Sequence, residues 1–307
     1  MLPGMLALAA IGIASILLPQ PVAGAEDDGQ VLVLGRISDN PKAHYEQLKP
    51  LLDYVVPRMA GVGIRKGRIL MARDAQQMAS YLRRGRVDWL TETSGTGMLL
   101  QQRAAAKPLL LTERNGVSHY HTVFFVRRDS GIAKLADLRG HSIAFQSIFS
   151  TSAYLVPAAE LLEEGLPLEI LLSPGDRASA DAVGYLFARS ELNIATWVHK
   201  RLVDVGTMSN LDWTNPQRVP PSYRPDLRVI HRTPAYPRAL EMVRQDLDPR
   251  VRERLREVLA GAARDPAARE ALLRFFNTTR FLPVDAAAQQ ALRDMRTGVV
   301  RVRAEVE

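Results

Sequence analysis

From residue 31 onward, short apolar runs alternate with longer segments of helical period, and no other feature of the chain restricts its fold as much. Residues 31–34 form an apolar run ending at Gly35. Residues 41–60 then place Tyr45, Leu48, Leu51, Leu52 and Val55 at intervals of three and four, the stripe of an amphipathic helix. A second run covers 69–72. Asp74 can cap a helix that continues to Arg84 and stops at Gly85. Residues 87–90 are a third strand, 98–106 a helix and 109–111 a strand. The order β-α-β-α-β-α-β predicts an α/β sheet covered by helices.

The alternation begins again at residue 119. Residues 120–127 are strand-like, with Val123, Phe124, Phe125 and Val126, and a short helix at 135–138 ends before Gly140. Residues 142–145 are a strand, and a helix runs from about 150 to 164, where Gly165 and Pro167 stop it. Residues 170–172 read as a strand, 181–198 as mostly helix and 203–205 as a strand. Four prolines make 212–226 a rigid loop. One more strand is predicted at 227–230. The remainder reads as helix, with Asp248-Pro249 and Asp265-Pro266 as N-cap plus first-position proline. Two units of similar size suit a chain of 307 residues.

The N-terminus reads as an export signal. Residues 1–25 carry no charge, residues 5–18 are apolar and Ala23-Gly24-Ala25 has the small-x-small form of a signal-peptidase site. Pro19 and Pro21 break the run, which is too short to span a bilayer comfortably. A mature periplasmic protein starting at Glu26 is expected, with no later membrane span. The chain has no cysteine, which excludes disulfides, thiol catalysis and thiolate-bound metals. Its net charge of +7 suits an anionic ligand and equally suits solubility.

Ser150, Thr151 and Ser152 are the strongest chemical signal. They follow a strand and open a helix, where unpaired N–H groups and the positive dipole end favour an oxyanion and hydroxyls add donors. By themselves they fit an ordinary serine N-cap better than an anion site. His119 and His121 share one side of a strand, but nothing nearby completes a metal site. No serine lies in a Gly-x-Ser-x-Gly elbow, Gly61 to Gly67 lacks the end of a phosphate-binding P-loop, and the basic residues form no nucleic-acid module.

Three stretches together resemble the phosphate/phosphite/phosphonate-binding proteins of periplasmic ABC importers. The first runs from His119-Tyr120-His121-Thr122-Val123 through Val126-Arg127-Arg128-Asp129-Ser130-Gly131-Ile132 to Gly140. The second, and most specific, is Phe145-Gln146-Ser147-Ile148-Phe149-Ser150-Thr151-Ser152-Ala153-Tyr154-Leu155-Val156-Pro157, similar to the family's Ser-Thr-Ser-Gly-Tyr-Leu-Val-Pro element. The third is a pair of Val-Asp strands, Gly85-Arg86-Val87-Asp88 and Leu202-Val203-Asp204-Val205-Gly206. The tail around Thr279-Arg280-Phe281-Leu282-Pro283-Val284 also looks like the family.

The resemblance implies a two-lobed, class II-like periplasmic-binding-protein fold with the ligand in the interlobe cleft. Lobe one would comprise residues 26–119 plus 224–307 and lobe two residues 120–223, with the chain crossing near 119 and near 210–226. Ser150, Thr151 and Ser152 would hold phosphoryl or phosphonyl oxygens, and Tyr120 would add a donor from across the cleft. Glu92 and Thr93 stand where the family has Trp-x-Gly-Pro, and Glu92 would accept from an ammonium or a protonated anion. Asp74-Ala75 replaces an Asp-Tyr pair. Glu191 and Asn193 are what remains of a His-Glu-x-Asn loop, and Ser209, Asn210 and Asp212 follow the second Val-Asp strand, where the family places polar contacts. The implied function is non-catalytic capture of phosphonate, phosphite or phosphate by a monomer that serves a membrane permease, with no cofactor, metal or nucleic acid. A sensor for a membrane receptor or kinase, and a secreted enzyme acting on a phosphorylated substrate, are the alternatives.

Overall fold

The computed structural model describes residues 30–306. The export signal and its cleavage site lie outside the described residues. Two six-stranded sheets dominate. The first has the order β14 (Thr278–Leu282), β4 (Lys107–Arg114), β13 (Ala239–Val243), β3 (Trp89–Thr93), β1 (Gln30–Ile37), β2 (Ile64–Ala72). The second has the order β11 (Leu227–Arg232), β6 (Thr122–Arg127), β10 (Val205–Ser209), β7 (Ser142–Phe145), β9 (Val183–Phe187), β8 (Leu168–Ile170). A two-stranded pair, β5 (His119–Tyr120) and β12 (Tyr236–Pro237), links them.

The helices follow the apolar stripes. They are α1 (Pro41–Arg58), α2 (Ala75–Arg83), α3 (Ser94–Ala104), α4 (Val156–Glu163), α5 (Glu191–His199), α6 (Asn210–Thr214), α7 (Pro249–Gly261), α8 (Arg269–Arg274) and α9 (Ala286–Glu305). Asp74 caps α2 by accepting from the Gln77 N–H at 2.7 Å, and Asp248 caps α7 through Arg250 at 2.7 Å. One face of the first sheet packs Trp89, Leu32 and Leu34 against Leu48, Leu51, Leu52, Leu255 and Phe275 of the surrounding helices. In the second lobe Phe125, Ile194, Val198 and Met208 form the corresponding layer.

The paired Val-Asp elements do the same work in both sheets. Asp88, just before β3, accepts from the Val33 N–H of β1 at 2.9 Å and from Arg244 Nε at 2.9 Å. Asp204, just before β10, accepts from the Ser142 N–H of β7 at 2.9 Å and from its hydroxyl at 3.0 Å. Each carboxylate, just before its own strand, satisfies a backbone donor of the neighbouring parallel strand.

The structure corrects the boundaries drawn from periodicity. Residues 183–187, read as helix, are strand β9, buried on both faces, so no alternation marked it. The tail is not all helix: β13 and β14 insert into the first sheet, antiparallel on either side of β4. Asn210–Thr214 is helical inside the proline-rich loop. Strand β11 pairs antiparallel with β6, so residues 227–232, assigned to lobe one, belong to the second sheet. The return crossing is therefore at Tyr236-Pro237, beside the outward crossing at His119-Tyr120, and not at 210–226. Helix α9 lies against both lobes. It packs on α3 of the first and α4 of the second, where a Cβ on Gly298 would stand 2.8 Å from the Ala159 Cβ.

Candidate functional site

Strands β1, β3 and β4 of the first lobe run in one direction, and the C-terminal end of β3 meets the start of the second lobe's helix at Thr151. This is the position at which open α/β sheets bind ligands.

Two helix starts face each other there. Helix α3 opens as Ser94-Gly95-Thr96-Gly97, and its cap residue Thr93 makes no side-chain bond to the helix's own N–H groups. Opposite, Ser150 caps the second-lobe helix by accepting from the Ala153 N–H at 3.1 Å. That helix begins with a π-type turn over Thr151–Leu155, closed by the Leu155 N–H to the Ser150 carbonyl at 2.9 Å. Pro157, without an N–H, then enters at the second position of α4, where a helix loses little by it. Thr151 is 2% exposed and bridges the lobes. Its hydroxyl donates to Thr93 Oγ1 at 3.0 Å and accepts from the Gly95 N–H at 3.2 Å.

Behind this bridge lies a buried hydroxyl layer. Thr122 Oγ1 donates to the Ser152 carbonyl at 2.9 Å and lies 2.8 Å from the Tyr236 hydroxyl. Tyr120 and Tyr236, from the two crossing strands, pack edge to face with centroids 4.9 Å apart. Burial pushes the Tyr120 phenol up to about 12, while the Ser152 hydroxyl bound to it and the nearby Arg238 and Arg114 act the other way. Both phenols are therefore neutral and able to donate at physiological pH.

The sequence-derived residues divide into two groups. Ser150, Thr151, Ser152, Tyr120 and Thr93 converge at the meeting of the lobes. Glu92 does not join them. It is 4% exposed, accepts from the Ile37 N–H at 2.9 Å and stands 3.8 Å from Arg36 Nη1, so it secures the end of β1. Ser209 and Asp212 are mutually engaged at the start of α6, the Ser209 hydroxyl donating to Asp212 at 2.5 Å and accepting its N–H at 3.0 Å. Asn210 exchanges bonds with the backbone of His121. Asn193 donates to the Ala188 carbonyl at 2.8 Å. Glu191 faces Arg218 at 3.8 Å, and burial, with Asp212 nearby, raises its pKa.

Sequence reasoning missed the arginines. Arg36 is the penultimate residue of β1, Arg114 ends β4 and Arg238 precedes β13, with Arg238 Nη1 donating to the Arg114 carbonyl at 3.0 Å. Each of the first two is a basic residue within three positions of an apolar run, at the C-terminal end of a strand. That signal was present in the sequence but was outweighed by the hydroxyl motif. Below them Glu241, fully buried, accepts from Trp89 Nε1 at 2.6 Å, Thr112 Oγ1 at 2.7 Å and Thr91 Oγ1 at 2.9 Å. Among the described residues no group of three or more His, Asp or Glu side chains is placed to hold a metal, and no helix is long and apolar enough to cross a membrane.

The chain is matched by known proteins. The family model described as ABC transporter, phosphonate, periplasmic substrate-binding protein matches residues 34–289. The Xanthomonas citri protein XAC2383, solved bound to chloride, is 57% identical, with a TM-score of 0.84 over 90% of this chain and 99% of that one. The same protein solved bound to ATP matches at 56% identity, with the same TM-score and coverage. PhnD1 of Prochlorococcus marinus in complex with methylphosphonate shares the fold at 16% identity, with a TM-score of 0.62 over 89% of this chain and 98% of that one.

Proposed function

Because this chain belongs to the periplasmic substrate-binding family of phosphonate ABC transporters, we propose that it captures a phosphorus oxyanion between its lobes and delivers it, as a monomer, to a membrane permease. The observation that carries this reading is the meeting of two helix starts across the cleft, at Gly95 and at Thr151. Each offers N–H groups without helical acceptors and the positive end of a dipole. Hydroxyls of Thr93, Ser150 and Ser152 and the neutral phenol of Tyr120 supply further donors around them.

Capture is a change of partners. In the closed arrangement Thr151 spends its hydroxyl on Thr93 and Gly95. An oxyanion entering between the lobes takes over these donors, and closure around it holds the ligand by hydrogen bonds from both sides. The carboxylates near the site are occupied by their own lobes, so the donors there face the ligand without a competing negative charge. The 56%-identical relative was solved bound to ATP, a nucleoside with a triphosphate chain, which supports the phosphoryl class. No nucleophile stands activated by a base in this cleft, which favours binding over turnover.

Isothermal calorimetry of the mature protein with phosphate, phosphite, methylphosphonate and sulfate tests the proposal. A phosphorus oxyanion should bind at least about tenfold more tightly than sulfate. Equal or absent binding of all four would overturn it.

A further inference from the structure

Arg114 is 9% exposed, yet two of its guanidinium nitrogens, Nε and Nη2, are buried without a hydrogen-bond partner. Arg36 Nε is in the same condition. Both guanidinium groups lie over one ring, that of Phe276, at 4.7 Å for Arg36 and 4.5 Å for Arg114. Two like charges have thus been desolvated beside one aromatic ring. The arrangement is costly unless an anion completes it. The acidic neighbours complete it only in part: Glu92 stands 3.8 Å from Arg36 Nη1, which also donates to the Thr91 carbonyl at 2.9 Å, but Glu241 is turned to Trp89, Thr91 and Thr112, and no carboxylate among the described residues bonds Arg114. The ring sits on strained backbone. Phe276 and Asn277 are consecutive non-glycine residues in the left-handed region, with φ of 55° and 53°.

The location joins this cluster to the cleft. Thr91 and Thr112 both bond Glu241, so they share one face of the sheet. Thr93 and Arg114, each two residues further along, share that face at the strand ends. They lie two strands apart, about 12 Å between Cα positions, and the length of an arginine side chain spans much of that gap. Tyr120, bonded to Ser152 on the other side, lies within electrostatic reach of Arg114 and Arg238.

We propose that Arg114 and Arg36, seated on Phe276, form a second anion subsite, so that the ligand carries two linked phosphate groups, one at the Ser150–Ser152 hydroxyls and one on the arginine pair. The inference rests on the reading of the cleft as a phosphoryl site and names the ligand class: a diphosphate or longer phosphate chain, in preference to a simple alkylphosphonate. A forked guanidinium suits a phosphate's geometry, with two parallel N–H donors.

The test compares inorganic phosphate with inorganic pyrophosphate by calorimetry on the wild-type chain, Arg114→Gln and Arg36→Gln. In the wild type pyrophosphate should bind at least about tenfold more tightly, the gain of one charge-assisted contact. Arg114→Gln should bring the two anions to within about twofold while phosphate itself changes by less than about threefold. Arg36→Gln should shrink the ratio in the same direction, and it carries the comparison if Arg114→Gln fails to fold. Equal binding of both anions by the wild type, or an unaltered ratio in the folded variants, would overturn the subsite and leave the single-phosphoryl reading standing. Failure of both anions to bind the wild type would remove that underlying reading and the subsite with it.

Discussion

Thr151 of the second lobe donates its hydroxyl to Thr93 of the first at 3.0 Å, across 58 residues of sequence, and receives the Gly95 N–H at 3.2 Å. The residue that the motif marks as a ligand donor is thus also the contact that joins the closed lobes. The two roles follow from one position, at the start of one helix and facing the start of another.

Replacing Thr151 by Val keeps the shape and removes both bonds. With the hydroxyl gone the ligand loses one donor, and a hydrogen bond to a charged group contributes about 1.5–3 kcal/mol, so phosphorus-oxyanion affinity should fall about 10- to 150-fold. The melting temperature of the ligand-free protein should move by only a few degrees. Gly95→Ala should weaken binding further, because its Cβ would stand 2.7 Å from Thr151 Oγ1 and hold the lobes apart. Small-angle scattering should then show no ligand-induced compaction. Compaction of Gly95→Ala equal to that of the wild type would remove the contact from the closing mechanism.

Glu92 should act on the fold more than on ligand choice. Glu92→Ala leaves the Ile37 N–H without its acceptor and Arg36 without its facing carboxylate, a loss of about 1–3 kcal/mol. Thermal unfolding should register it, while the ranking of phosphate, phosphonate and sulfate stays the same. A changed ranking with an unchanged melting temperature would restore Glu92 to the ligand contacts.

Glu241 is the buried hub under the arginines. Burial pushes its carboxyl up to about 7, against the three donors that favour the charged form. Because the folded pKa lies above the unfolded value, this group's contribution is complete below about 4.5 and is lost as pH rises through about 7. Glu241→Ala should cost at least about 3 kcal/mol by leaving three buried donors unpaired. Chemical denaturation at pH 5 and pH 8 measures both effects; a loss under 1 kcal/mol would contradict the hub.

His44 supplies a second pH signature of opposite sign. The imidazole is half-buried, and burial, Arg36 and Arg114 lower its pKa, with Asp39 opposing. Its Nδ1 lies 2.6 Å from the Ser38 hydroxyl, and its ring is 5.9 Å from that of Phe276. A depressed base contributes stability that is present above pH 6.5 and lost as pH falls toward the folded value. NMR titration of the ring should give a value below 6.5 in the free protein and a higher one with saturating pyrophosphate. A value that ignores the anion would separate His44 from the arginine pair.

Much of this protein was legible along the chain. The strands of the first unit, the capping of α2 by Asp74 and of α7 by Asp248, and the Ser-Thr-Ser turn are local features, set by periodicity, caps and one helix start. Other features depend on partners far away in sequence. β9 reads as helix until its two buried faces are known, and β11 reads as part of the first lobe until β6 is seen beside it. Glu92 reads as a cleft carboxylate until the Ile37 N–H claims it. Arg36, Arg114 and Phe276 are separated by 78 and 162 residues, and only the closing of the sheet under α1 and α8 sets two guanidinium groups on one ring. Local patterns determined where helices and strands begin. Burial and charge pairing, which act between strands that the chain brings together from a distance, decided which polar residues support the fold and which remain to meet a ligand.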